Sequence, residues 1–281
     1  MKKKLADIPF AHIDREFRRI DRRQIRRTKN IRLIPGVKHR KGGKVSYAEW
    51  AHVIGIFQSL IYQTLESKTD NHILDIGCGK GLIGIAAEPF VLDTGLYTGL
   101  DVMEREIDFC MNHYVIPNYK FIHHKVANPR YAQSQNTELT KWPLDDESQD
   151  MVTALSVWTH LNERDSIFYF KEIYRVLKKG GKAIVTFFYL DEKYQESLSK
   201  REDKPGKFHK SKQTDWIFDI PAYESKNWLC PQWVKYPEDA IGVTPAGMQL
   251  MTDNFKLTNY YPGNWKEYPG MYFQDILIFE K

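Results

Sequence analysis

Three glycines at alternate positions, Gly77, Gly79 and Gly81, follow a short apolar run that carries an acid, His72-Ile73-Leu74-Asp75-Ile76. Glycines placed this way let a chain turn sharply after a strand. They also let backbone amides approach a ligand without side-chain obstruction, with Cys78 and Lys80 filling the positions between. The next apolar run, Leu96–Leu100, delivers Asp101 at its end. A carboxylate there accepts both hydroxyls of a ribose, which is the requirement for holding an adenosine. Dinucleotide enzymes satisfy the same requirement, with G-x-G-x-x-G in the same place. Position 82 is Leu, however, and the spacing is G-x-G-x-G with Asp75 inside the preceding strand.

The elements that must position these residues follow from periodicity and turn chemistry. Ser46 is an N-cap with Glu49 three residues on, which predicts a helix to about Ser67. Strands are predicted at His72–Ile76, Leu96–Leu100, Tyr119–His123, Asp150–Val157 and Lys182–Phe188. Helices fall between them at Gly81–Glu88, Val102–Tyr114 and Glu163–Leu177. The run Lys178-Lys179-Gly180-Gly181 suits the end of the last of these, on dipole and backbone grounds. Residues 190–240 break the rhythm: polar, Pro-containing and rich in Trp and Tyr, they read as an inserted lid rather than a domain. Thr244-Pro245 then starts a helix to about Asn254. Phe255–Tyr261 and Met271–Phe279 read as two closing strands, a hairpin-like pair at the sheet edge. The fold class expected is α/β: a doubly wound, mostly parallel seven-stranded sheet with helices on both faces.

The net charge of +5 conceals an asymmetry, since residues 1–44 carry a local balance of +12 and the remaining chain −7. Residues 10–30 read as a highly charged helix, so 1–44 is expected to be a basic N-terminal helical arm. It precedes a domain over 45–281, with a core at 70–190 and 241–281 and the lid at 190–240. Such an arm meets phosphates, an acidic membrane surface, or the acidic body of its own fold. No apolar run approaches the roughly 20 residues a bilayer span needs, and the basic N-terminus has no apolar region after it. Three widely spaced cysteines, Cys78, Cys110 and Cys230, offer neither a disulfide framework nor a zinc site. A reducing cytoplasm and no metal are the expectations.

LDIGCGKG resembles the first motif of class I S-adenosylmethionine-dependent methyltransferases, and YTGLDV resembles their second. WPLDDESQDMVTALSVWTHL is similar to the family's fourth-strand region, and EIYRVLKKGGKAIVTFF to its fifth strand with the helix before it. The resemblance covers roughly residues 70–190 with four motifs in order. It implies S-adenosylmethionine as cofactor. A methionine moiety needs room for its zwitterion, where the pyrophosphate of NAD needs the helix N-terminus close. By resemblance, Asp75, Gly77, Cys78, Gly79 and Gly81 form the cofactor loop, Asp101 binds the ribose and Met103 lies against the adenine edge. The family's loop after the third strand supplies adenine contacts, often an acid followed by a small residue. Here it reads Lys125-Val126-Ala127-Asn128, so backbone at Val126 and Ala127 or the Asn128 amide would serve. Ser156 at the fourth strand's end and Tyr47 on the leading helix complete the expected cofactor contacts, while Trp50 reads as core.

The fourth strand ends in Leu155-Ser156-Val157-Trp158-Thr159-His160. The [DN]-P-P-[YF] sequence that marks amino-group methyltransferases is absent there, and so is the cysteine pair of pyrimidine carbon-5 enzymes. His160 offers an imidazole with a pKa suited to proton transfer at a hydroxyl acceptor; it equally suits a helix-start histidine binding backbone. SVWTHL, the aromatic insertion and YPGMYFQDILIFEK look most like bacterial methyltransferases of glycans and small hydroxylated molecules. Of the insertion's Trp216, Tyr223, Trp228, Trp233 and Tyr236, most are expected to pack the lid. The leading expectation is therefore O-methylation of a hydroxylated small molecule or glycan, releasing S-adenosylhomocysteine. Two alternatives stand beside it. One is an RNA methyltransferase using Arg18, Arg19, Arg22, Arg23, Arg26 and Arg27 to track phosphates. The other is a catalytically silent binding scaffold.

Overall fold

A computed structural model describes residues 24, 26, 28–40, 45–126, 128, 131 and 138–281. The expected charged helix at 10–30 falls almost wholly outside them. The chain forms two compact units, Met1–Ile122 and His123–Lys281.

In the first unit, helix α1 (Tyr47–Thr64) begins with the capping box that its sequence announces. Glu49 N donates to Ser46 Oγ at 3.0 Å and Ser46 N to Glu49 Oε2 at 3.2 Å. Trp50, Val53, Ile54, Phe57, Leu60 and Ile61 recur at helical spacing and are all buried. Strands β1 (His72–Ile76) and β2 (Leu96–Asp101) pair in parallel, with Asp75 opposite Gly99. Their continuous apolar runs are those of strands covered on both faces. Between them runs α2 (Leu82–Ala87), short and wholly buried. After them come α3 (Glu104–His113) and β3 (Tyr119–His123), which adds to β2 on its far side from β1. The described part of the basic arm packs on this unit. Asn30 Nδ2 donates to Ile85 O at 2.9 Å and to Gln58 Oε1 at 2.7 Å, Ile34 is buried, and Lys29 pairs with Glu88 at 3.3 Å.

The second unit is built around β5 (Leu177–Tyr189). On one side β4 (Gln149–Ala154) pairs with it in parallel. β10 (Asp275–Glu280) pairs with β5 antiparallel and carries β9 (Lys256–Tyr261) at its edge. α4 (Glu163–Val176) leads directly into β5. The run Lys178–Gly181 does not end the helix as expected. It bulges from β5, because Gln149 lies opposite Leu177 while Met151 lies opposite Lys182. Gly180 takes φ +77°, and Lys178 Nζ reaches Asp150 Oδ1 at 2.7 Å. β4 also stops earlier than expected, since Ser156 is left-handed at φ +58° and turns the chain out of the strand.

The insertion holds α5 (Glu192–Leu198), β6 (Phe218–Pro221) and β7 (Trp228–Pro231), and β8 (Gly242–Val243) follows it. β8 pairs with β5 in parallel, and β7 and β6 extend outward antiparallel. The described residues therefore form ten strands, not seven. The three additional strands are short, and their apolar residues carry no clean alternation, which hid them among the turn residues around them. Thr244 caps α6 (Pro245–Thr252) through Gly247 N, as its Thr-Pro start implies. The α/β architecture is the one the alternating pattern predicts.

A buried charge cluster fastens the insertion to the closing strands. The Lys266 ammonium is fully buried, 2.7 Å from Asp191 Oδ1, 2.9 Å from Asp275 Oδ1 and 2.8 Å from the Tyr260 hydroxyl. Asp275 also accepts from Gly263 N, Tyr189 N and Trp265 Nε1. Burial raises its pKa, and the neighbouring Lys266 opposes the rise. Lys266→Met strands this carboxylate in the interior and is expected to cost about 3–5 kcal/mol in urea unfolding at pH 7. Because the folded state then favours a protonated Asp275, the loss shrinks as pH falls toward 5. A loss below 1 kcal/mol at pH 7 contradicts the role given to the cluster.

Candidate active site

The glycine loop of the first unit is a run of left-handed turns. Gly77, Gly79 and Gly81 have φ of +63°, +52° and +78°, a region that side chains with a Cβ rarely adopt. A Cβ at Gly81 would also lie 2.5 Å from the Tyr114 ring, whose hydroxyl donates to Lys80 O at 2.7 Å. At Gly79, by contrast, a Cβ would meet nothing nearer than Gly77 O at 4.0 Å. The loop thus has a crowded side, where it packs on Tyr114, and an open side above Gly79.

Asp101 sits at the end of β2 and is only 4% exposed. Its Oδ2 accepts from Gly79 N and its Oδ1 from Met103 N, each at 2.8 Å. Desolvation raises its pKa, and the backbone N–H groups of Met103, Gly79 and Val102 oppose that. The Met103, Gly79 and Val102 amides take three of the four acceptor positions of this carboxylate, which leaves one for a ligand donor. Lys80, within the loop, is tied to α3 by a 2.5 Å ion pair with the buried Glu106 and lies over the Phe109 ring. Cys78 and Cys110 are buried, and the Cys110 thiol donates to Gly79 O at 3.3 Å. Asp75 is buried in β1 and accepts from the Tyr97 hydroxyl at 2.7 Å. Tyr47 opens α1 with its ring buried and its hydroxyl donating to Ile31 O at 3.4 Å.

In the second unit, His160 closes a 3-10 turn, Trp158–His160, just beyond β4. Its Nδ1 lies 2.7 Å from the Glu238 backbone carbonyl, which only accepts, so Nδ1 carries the proton. Nε2 then holds the lone pair, 3.2 Å from the Tyr131 hydroxyl. Asn128 spans the same turn: its Oδ1 accepts from Tyr131 N at 3.1 Å and its Nδ2 donates to His160 O at 3.4 Å. Val126 is buried, and Ala127 lies outside the described residues. Ser156 Oγ donates to Gln274 Oε1, and Ser156 N donates to Thr186 Oγ1, so this residue shapes the strand's exit.

Residues 74–185 match the family model described as "Methyltransferase domain". Over 203 residues the chain is 26% identical to an uncharacterized methyltransferase of Bacillus subtilis, YcgJ, spanning 66% of this chain and 71% of that protein. An S-adenosylmethionine-dependent methyltransferase of Mesorhizobium loti superposes with TM-score 0.51 at 14% identity, over 79% of this chain and 96% of that one. The PH0226 protein of Pyrococcus horikoshii gives 0.52 at 17% identity, over 83% and 91%. Residues 74–185 are a methyltransferase domain, and these likenesses together support a class I S-adenosylmethionine-dependent methyltransferase.

The cofactor of the methyltransferase is S-adenosylmethionine, and the residues of the first unit fit it. The space beside Gly79 is clear of other atoms to 4.0 Å, which lets a ligand approach the loop backbone there. Asp101 keeps an acceptor position for a ribose hydroxyl, and Met103, two residues on, is half-buried. Among the described residues no cluster of His, Cys, Asp and Glu could hold a metal ion, and no helix is long and apolar enough to cross a membrane.

Three residues of the methyltransferase's site regions were not singled out from the sequence. Tyr97 stands under the glycine loop as the partner of Asp75, while Tyr131 and Glu238 frame His160. Tyr131 lies in a polar loop with no regular period, and Glu238 acts on His160 through its main chain, so neither leaves a signal in residue type.

Just ahead of this region His124 is buried against Tyr169, whose hydroxyl is 3.1 Å from Nε2. Desolvation lowers its pKa to about 4. The folded value lies below the unfolded one, so this neutral imidazole contributes stability above pH 6.5 that is lost as pH falls toward 4. Thermal unfolding of the methyltransferase followed from pH 7 to pH 4 is expected to show a steeper fall in the native protein than in His124→Phe. Parallel curves would contradict the burial of a neutral imidazole.

Proposed function

We propose that this methyltransferase acts on a hydroxyl oxygen of a small hydroxylated molecule or glycan, with His160 as the base. The observation that carries the reading is the fixed tautomer of His160. Its Nδ1–H is held by the Glu238 carbonyl, and its Nε2 lone pair faces a hydroxyl, that of Tyr131, at 3.2 Å. An acceptor hydroxyl in that position would pass its proton to Nε2 while its oxygen forms the new bond to carbon. Bound S-adenosylmethionine supplies an activated methyl carbon, and the C–S bond breaks as the C–O bond forms, releasing S-adenosylhomocysteine. The chain's own contribution is alignment, exclusion of water and custody of one proton.

The lack of a [DN]-P-P-[YF] sequence at the end of the fourth strand supports oxygen over amide or adenine nitrogen. The nucleic-acid reading rests on an arm of which Arg18, Arg19, Arg22, Arg23 and Arg27 lie outside the described residues. Lys29 and Arg40 in the described part are engaged with the body, Lys29 on Glu88 and Arg40 by burial. We take residues 190–240 as the segment that selects the acceptor. A reducing, cytoplasmic setting is supported by three buried, unbridged cysteines.

The test is His160→Ala with a panel of hydroxylated sugars and phenols, read as release of S-adenosylhomocysteine. Turnover is expected to fall by about 10²–10⁴-fold, with cofactor affinity unchanged. Unaltered turnover removes His160 from the mechanism.

A further inference from the structure

The insertion and the N-terminus of α4 border an open cleft of about 400 Å³, within the usual range for small-ligand sites. Asn162, Glu163, Arg164, Ala222, Tyr223 and Ser225 line it. We propose that this cleft is a subsite for a sugar ring of the acceptor, with the Tyr223 ring as its platform. The proposal rests on the hydroxyl-acceptor reading above and narrows it to polyols.

The lining decides the ligand class. A site for a free anion would gather donors and avoid carboxylates, yet Glu163 stands beside Arg164. The wall joins four polar or charged residues to the Tyr223 ring and Ala222 and presents more apolar than polar surface, an amphipathic character that a flat, wholly apolar slot lacks. A pyranose ring presents hydroxyls that both donate and accept, with a C–H face that suits an aromatic ring. Ser225 Oγ donates to Glu163 Oε2 at 2.6 Å, which fixes that carboxylate at the wall. Asn162 caps α4 with its Oδ1 through Asp165 N, and its side chain also bonds the Asp165 carboxylate, which fixes the amide at the wall.

Tyr223 is held in place at a cost. It is left-handed at φ +50°, ψ +46°, and Glu224 after it is left-handed at +62°. Its ring is 56% exposed, but its hydroxyl is anchored on the Glu238 carboxylate at 2.8 and 3.0 Å. Glu238 is almost fully buried, and its backbone carbonyl is the group that orients His160. One residue thus positions both the platform and the candidate base. Core packing does not account for a half-exposed tyrosine in a conformation that asparagine or glycine adopts more readily.

Saturation-transfer NMR on the full chain tests this, with the methyl glycosides of glucose, galactose, mannose and N-acetylglucosamine as probes and catechol as the aromatic control. The expected result is transfer to the ring protons of at least one glycoside, and its loss in Tyr223→Asn. That variant keeps a residue type suited to the left-handed backbone, and Tyr223→Phe, which retains the ring, is expected to keep transfer. No transfer to any glycoside, equal transfer in Tyr223→Asn, or transfer to catechol alone overturns the subsite. Catechol methylated in a His160-dependent way would leave the hydroxyl-acceptor reading standing while the sugar subsite falls. S-adenosylhomocysteine titrated into the same samples reports the cofactor site separately and is expected to bind both variants as it binds the native protein.

Discussion

The glycine loop depends on one buried carboxylate. Three left-handed glycines make a turn with few hydrogen bonds of its own, and Asp101 supplies what the loop lacks by accepting from Gly79 N across to the end of β2. The same side chain accepts from Met103 N and so sets the start of α3. A carboxylate removed from water and given only backbone amides is under-solvated, which is why its pKa is raised. One ligand hydroxyl would complete its hydrogen bonding. The same burial that raises its pKa would strengthen a hydrogen bond from a ribose hydroxyl.

A second buried network does for the insertion what Asp101 does for the loop. Lys266 joins Asp191, at the start of α5, to Asp275, at the start of β10, so the inserted segment is anchored where it leaves and where the sheet closes. Aromatic packing of Phe188, Tyr194, Phe218 and Trp265 fills the space around that anchor. With its base fixed, the insertion presents Tyr223, Trp233 and Tyr236 outward, 56, 49 and 40% exposed, while Trp228 is buried and Trp216 packs on Phe188 and Phe273. The expectation that most of these rings pack holds for Trp216 and Trp228. Trp233, though half-exposed, also packs edge-on against Trp216, so the expectation gives way only for Tyr223 and Tyr236.

Much of the fold was legible in the chain because its signals are local. The Ser46/Glu49 box, the Thr244-Pro245 start and the apolar runs of β1 to β3 each reside in a few consecutive residues, and each element appears where they place it. The glycine spacing likewise foretold a sharp turn after the strand, which the chain makes with left-handed backbone at all three positions. What escaped was set by distant partners. Lys178–Gly181 has the composition of a helix end, yet Asp150 and the chain's last residues draw it into a bulge of β5. β6, β7 and β8 are too short to carry a period. At the candidate site, His160 could be singled out by type, but its proton is placed by the carbonyl of Glu238, and a main-chain group has no letter in the sequence. Asp75, expected at the cofactor, has its carboxylate engaged by Tyr97 one strand away.

The most direct test of the central claim is a calorimetric titration of the protein and of Asp101→Asn with S-adenosylhomocysteine. Asparagine keeps the shape of the side chain but replaces one acceptor oxygen with a donor, so it opposes both the loop amides and a ribose hydroxyl. Saturable 1:1 binding by the native protein, weakened at least about tenfold in the variant, is the predicted result. Equal affinity in the two proteins, or no binding by a folded native protein, would contradict the account of this loop as the cofactor site.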